Sequence, residues 1–199
     1  MSRVLAVCAG PVAPLLVHER GTPETVVSGI AKSALSTLET PARVTVGPLG
    51  VAGDEQADLT VHGGLDKAVY LYPVEHYAFW RTVRGQAGVD APLLPGAMGE
   101  NLLIEGLAET ALWVGDHLSV GEIELRVESP RQPCYKFNAR MGFKWAAKMM
   151  VQSGFTGFYC AVVRTGTVAA GDPVTLRPGE RHVSLGEMHR LRNRRELGR

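Results

Sequence analysis

The residues best suited to chemistry surround Cys134, in the stretch Ser129-Pro130-Arg131-Gln132-Pro133-Cys134-Tyr135-Lys136-Phe137-Asn138. Two prolines stiffen this segment, and Arg131 and Lys136 flank the sulfur. Neighbouring cations stabilise a thiolate, the form that attacks electrophiles and binds soft metals. The plainer reading is an inert core cysteine near surface charges. Cys160 sits in the apolar run Phe158 to Val163, where burial without a cation raises a thiol pKa, so it and Cys8 read as inert.

A second cluster runs from Gly53-Asp54-Glu55-Gln56-Ala57-Asp58 to Val61-His62-Gly63-Gly64-Leu65-Asp66-Lys67-Ala68. Paired glycines let backbone N–H groups approach an anion closely, which would suit a phosphate or oxyanion. The alternative is a tight turn between strands with a hydrogen-bonded His62. Asp54, Glu55 and Asp58 lack the spacing of a Ca²⁺ loop and are read as a solvated acidic turn. In a third group, Met98-Gly99-Glu100-Asn101-Leu102, Glu100 is a candidate proton donor or acceptor and Asn101 a candidate hydrogen-bonding partner for a ligand. A β-turn bonding its own backbone explains the same residues. Lys32 alone reads as a surface charge.

These groups need a scaffold, and the sequence predicts a β-rich one. Ile123, Leu125 and Val127 alternate with Glu122, Glu124, Arg126 and Glu128, a period of two that marks a strand over Gly121 to Ser129. Ala68 to Tyr72 is a short unbroken apolar run, as a strand buried on both faces requires. Val4 to Ala9, Arg43 to Val46, Glu100 to Ile104, His117 to Val120, Phe158 to Val163 and Pro173 to Leu176 read as further strands. One helix is predicted from Pro73 towards Gly85, carrying Tyr77, Trp80 and Val83 at helical spacing. Another is predicted from about Gly142 to Ser153, with Gly154 as its stop. The expected fold is mainly β, a closed β-barrel with a few short helices.

At 199 residues and 45% hydrophobic content the chain can bury a core without disulfides, so one domain over residues 1–179 is expected. Residues 180–199 carry six arginines against three glutamates and read as a basic helix or tail. Twenty-one Lys and Arg against twenty Asp and Glu give no indication of a nucleic-acid or membrane-surface partner, which favours small-molecule partners. Leu5 to Ala9 is too short to span a membrane and no cleavage site follows, so it reads as an opening strand. The three cysteines form no C-x-x-C pair, which argues against disulfide, zinc and iron–sulfur frameworks and suits a cytoplasmic setting. No dinucleotide, Walker, zinc-protease or serine-hydrolase motif is present, so redox chemistry here would need electrons from elsewhere.

Taken in order, Ile30-Ala31-Lys32, G-D-E-Q from Gly53, V-H-G-G from Val61 with Lys67-Ala68-Val69 and Tyr72-Pro73, G-E-N-L from Gly99 and P-R-Q-P-C-Y-K from Pro130 resemble one family. It is the MOSC superfamily, particularly its YiiM-like branch, and the likeness spans roughly residues 25 to 177. The resemblance implies a barrel holding a molybdenum cofactor (molybdopterin), with Cys134 as the protein ligand to the metal. It further implies reduction of N-hydroxylated bases or amidoximes with electrons from an external donor protein. By the same resemblance Lys32, His62, Gly63, Arg131 and Lys136 would line the cofactor's anionic end. Glu100 and Asn101 would then sit near the metal, with Glu100 or His62 as proton donor. Longer YiiM-like proteins carry a small three-helix C-terminal domain where this chain has only Arg181 to Arg199. A sulfur carrier using a Cys134 persulfide and a non-catalytic cofactor carrier are the competing roles.

Overall fold

The computed structural model describes residues 1–19, 22–57 and 63–194. The chain opens with β1 (Arg3–Ala9), a hairpin of β2 (Ala13–Glu19) and β3 (Thr22–Ser28), and β4 (Ser33–Thr37), which pairs back onto β1. β5 (Val44–Gly47) and β6 (Gly50–Val51) form a small hairpin, and β7 (Val69–Pro73) leads through one 3-10 turn into α1 (Tyr77–Gln86). β8 (Leu102–Glu105), β9 (His117–Val120) and β10 (Ile123–Pro130) follow, then α2 (Tyr135–Met141) and α3 (Ala146–Ser153). The remaining elements are β11 (Phe158–Arg164), β12 (Gly166–Val168), β13 (Val174–Arg177) and α4 (Leu185–Arg192).

Eight strands form one sheet in the order β13-β9-β10-β11-β7-β8-β1-β4. Only β7 and β8 run parallel in it, and the connection between them carries α1, as a parallel crossover needs. The two faces of β7 explain its unbroken apolar run. Val69 and Leu71 join the core enclosed by the curved sheet, while Tyr70 and Tyr72 join a second core with Trp80, Phe137, Met141 and Met150 from the helices. On β10, Ile123, Leu125 and Val127 are fully buried and Arg126 is exposed, as the alternation predicted.

The fold is mainly β with few helices, but no closed barrel forms. β1, next to the β4 end of the sheet, meets the entry to β13 at an isolated bridge between Arg3 and Pro173, with backbone bonds Val4 N to Asp172 O, Gly171 N to Val4 O and Val174 N to Ser2 O. Asp172 O and Val174 N make these bonds, so Pro173 stands at a non-hydrogen-bonded position of the pairing, and among the described residues no further pairs extend the bridge into a ladder. Pro73 closes β7 in extended conformation instead of opening a helix. The segment after Cys134, for which no helix was expected, contains α2, which Gly142 ends at φ 81° in the left-handed region. The second predicted helix therefore begins only at Ala146.

The described part of the basic end, as far as Arg194, packs onto the domain. Ser184 caps α4 by accepting from Glu187 N, Leu185 and His189 are buried, and His189 bonds the Val151 carbonyl at 2.8 Å. Asp116, fully buried, accepts from Gly179 N at 2.8 Å and from Arg181 Nε at 3.2 Å, fixing the chain that leads there. Among the described residues no helix is long and apolar enough to cross a membrane.

Candidate functional site

A cleft of about 670 Å³, open to solvent, lies where the β3–β4 connection, the turn after β6, the loop before β8 and the start of α2 converge. Lys32, Gly63, Asn101, Arg131, Cys134 and Lys136, read from separate parts of the sequence, all line it. Glu100 does not, and His62 lies outside the described residues.

Cys134 occupies the position before the first turn of α2, with extended backbone (φ −112°, ψ 176°), and its carbonyl accepts from Phe137 N at 2.9 Å. Its side chain is half-buried, whereas Cys8 and Cys160 are fully buried and their thiols are pushed up, chiefly by burial. Arg131 is a wall rather than a mobile arm. Its guanidinium lies between the rings of Tyr70 and Phe137, at 5.0 and 4.9 Å from their centroids, and donates to the Met98 carbonyl. Burial opposes the charge on Arg131, but the oxygens of Tyr70 and Tyr159 and the Cys134 sulfur offset it, and the group stays protonated. Lys136 reaches across the cleft mouth to the Val27 carbonyl at 2.9 Å.

The floor is a buried ion pair. Lys32 Nζ donates to Asp54 Oδ2, and the two side chains are only 8% and 5% exposed, so the expectation of a surface lysine and a solvated acid is corrected for these two, while Glu55 is exposed as expected and Asp58 lies outside the described residues. Asp54 also accepts from Gly10 N at 3.1 Å and Asn101 Nδ2 at 2.9 Å. Asn101 in turn donates to the Cys8 carbonyl at 3.3 Å and accepts from Tyr70 N at 3.0 Å, joining β1 to β7 beneath the cleft. Burial lowers the Lys32 pKa while Asp54 raises it, and burial prevails. Asp54 was missed because acids usually face water; a buried lysine demands such a partner, but only the fold reveals the burial. Tyr70 and Tyr159, also lining the cleft, read in sequence as core strand residues.

Glu100 is sealed behind this floor at 0% exposure. Tyr77 Oη donates to Oε1 at 2.5 Å, Gly96 N to Oε1 at 2.8 Å and Met98 N to Oε2 at 2.9 Å. Burial raises its pKa against these three hydrogen bonds. The carboxylate thereby folds the turn whose Met98 carbonyl holds Arg131. Two glycines permit the close packing of the rim. A Cβ on Gly63, whose φ is 104°, would lie 1.7 Å from Gln56 Oε1, and one on Gly29 would lie 2.2 Å from the Glu55 carbonyl oxygen.

Among the described residues no three His, Cys, Asp or Glu side chains converge as a metal site. Chemically, the cleft offers one half-buried sulfur, fixed cations on two sides and a lysine proton held by a carboxylate.

The MOSC domain family model matches residues 58–175. YflK of Bacillus subtilis is 37% identical over 174 residues, covering 86% of this chain and 76% of YflK. A protein of Gibberella moniliformis named a reductase is 34% identical over 158 residues, 75% of this chain but 26% of that longer protein. The crystal structure of YiiM from Geobacillus stearothermophilus matches with a TM-score of 0.72 at 26% identity, covering 96% of this chain and 84% of that one.

Proposed function

The chain belongs to the MOSC domain family, and we propose that it holds a molybdenum cofactor on Cys134 and reduces N-hydroxylated compounds with electrons from an outside donor. The observation that carries this reading is the placement of Cys134: a half-buried sulfur at the head of α2, facing a cleft walled by Arg131 and Lys136. A single thiolate suits a soft metal whose remaining ligands arrive with an organic carrier, and it does not suit zinc, which takes three or four protein ligands. The bare Gly63 backbone and the cations of Arg131 and Lys136 suit an anionic end on that carrier. The residues present therefore fit the group.

When bound, that cofactor supplies two-electron reduction of a weak N–O bond. The protein's own contribution is placement and protons. Arg131, clamped between two rings, presents a fixed charge that needs no reordering when an anion enters. Converting a hydroxylamine to an amine and water consumes two electrons and two protons. Within this reading Lys32 Nζ is the proton donor, held towards the cleft by Asp54, because both Glu100 oxygens are engaged away from it. Asn101 positions Asp54, its own polar atoms being taken by Cys8, Tyr70 and Asp54.

The test uses protein made in a host that synthesises the cofactor. Molybdenum is measured by mass spectrometry, and reduction of an amidoxime or N-hydroxylated base is followed by chromatography with and without reduced methyl viologen. Product only with both donor and metal is the expected result. Turnover without donor, or equal turnover without metal, overturns the reading and leaves thiol chemistry at Cys134.

A further inference from the structure

We propose that an acidic electron-donor protein docks on the basic face formed by α2, α3 and the residues between them. The inference rests on the reductase reading and adds the partner's chemistry and its seat. Acidic and basic residues are nearly equal over the whole chain, yet from Ser129 to Gly171 there are six cations and no carboxylate. Arg131 is built into the cleft wall and Arg164 lies on β11 near Glu124. The other four, Lys136, Arg140, Lys144 and Lys148, lie on α2, α3 and their connection, and among the described residues none of the four forms an ion pair.

Several surface cations elsewhere are matched, although Arg81 on α1 and Arg190 and Arg192 on α4 are exposed with no ion pair among the described residues. Arg3 pairs with Glu105, Arg43 with Asp172, Arg126 with Glu128, and Arg177 with Glu124. The unmatched face also carries Trp145, 55% exposed, with Lys144 Nζ 4.8 Å and Lys148 Nζ 6.0 Å from its ring centroid. An exposed aromatic ringed by unpaired cations is the composition of a protein-binding centre, and its charge selects an acidic partner. Asp90 borders the face, where Val89 lies over Gly142.

The face is continuous with the cleft. α2 starts at Cys134, Lys136 belongs to both, and Asn138 ties α2 to α3 by accepting from Ala147 N at 2.8 Å. Seven residues of helix span only about 10 Å, so a partner seated there is held near the sulfur. The donor, a flavoprotein hydroquinone, gives up two electrons and is oxidised to the quinone; the substrate takes them with two protons and releases water.

The test compares the intact protein with the double variant Lys144→Glu/Lys148→Glu, neither residue lining the cleft. Reduced methyl viologen and reduced flavodoxin, a small acidic flavoprotein, serve as alternative donors, and calorimetry follows flavodoxin binding to metal-free protein. The expected result is unchanged viologen-driven turnover, a KM for flavodoxin raised about tenfold with kcat little altered, and loss of the calorimetric signal. Wild-type binding should also weaken as salt rises. Equal flavodoxin binding by wild type and variant overturns the proposal. So does a single-stranded DNA oligomer that binds this face more tightly than flavodoxin. If viologen-driven turnover is absent in the wild type while calorimetry still separates the two proteins, the reductase reading falls and the acidic docking face stands.

Discussion

β10 and β11 are paired strands with a cysteine close to each, and the two sulfurs live in different chemistries. Cys160 faces Val127 across the ladder in the apolar core, where no cation reaches it. Cys134 lies four residues beyond the end of β10, outside the sheet and beside Arg131. A few residues of chain thus separate a region that makes the fold from one that makes the site. Proline at 130 and 133 marks the change by ending the strand and stiffening the exit.

The sharpest test of this division exchanges sulfur for oxygen on both sides. Cys134→Ser should lose bound molybdenum and all donor-driven turnover with little change in Tm. Cys160→Ser should bury an unpartnered hydroxyl, costing about 1–3 kcal/mol, and leave turnover per folded molecule intact. A Cys134→Ser protein with full metal and activity would erase the distinction. Asp54 is where site and fold should overlap: Asp54→Ala strands a buried lysine charge and should cost about 3–5 kcal/mol in denaturant unfolding, besides activity.

Smaller effects sharpen the contrast. Arg131→Ala should weaken cofactor retention by about 1.5–3 kcal/mol, read as pterin released on dialysis, since a charge-assisted hydrogen bond is lost. Lys32 has its pKa lowered by burial, so as an acid it loses its proton as pH rises through a value below the ordinary 10.5. The turnover of wild type should therefore fall on that alkaline limb, and Lys32→Arg should move the limb upward while cofactor content holds. On the fold side, Asp116 is buried, which favours its neutral form. Hydrogen bonds from Gly179 N, Arg181 and Trp113 N prevail and hold its pKa below the usual range. A depressed carboxylate pKa gives stability that is present above the unfolded value of 3.8 and lost as pH falls through the folded one. Acid unfolding of Asp116→Asn should lack that part of the fall and leave turnover at neutral pH unchanged.

The sequence made the fold legible where side chains alternate or form an unbroken apolar run, as in β10 and β7. The hairpin β2–β3 was missed because it stands outside the main sheet with Leu16 and Val27 exposed, so no core imposes a pattern on it. Closure was overestimated because strand number carries no information about the seam at Pro173. In the site, Cys134, Arg131 and Lys136 were visible as sulfur between cations. Gly63 and Asn101 were visible as half of a bare glycine pair and as a polar side chain beside a strand, and Lys32 only through the order of motifs. Glu100 had two readings, a reacting group and a turn bonding its own backbone, and the bonds it accepts from Gly96 N and Met98 N follow the second. Tyr70 had a signal that went unused: with Val69 and Leu71 in one core, its side chain had to emerge on the face shared with the helices.

The seam between Ser2–Val4 and Gly171–Val174 gives the sheet a free rim along β13, beyond the bond to Ser2, and an unpaired rim invites a neighbouring chain to add a strand. The rim is only four residues long, and Arg177 places a charge at its end. Shortness and charge together guard the open shell against stacking end to end with its own kind in a crowded cell.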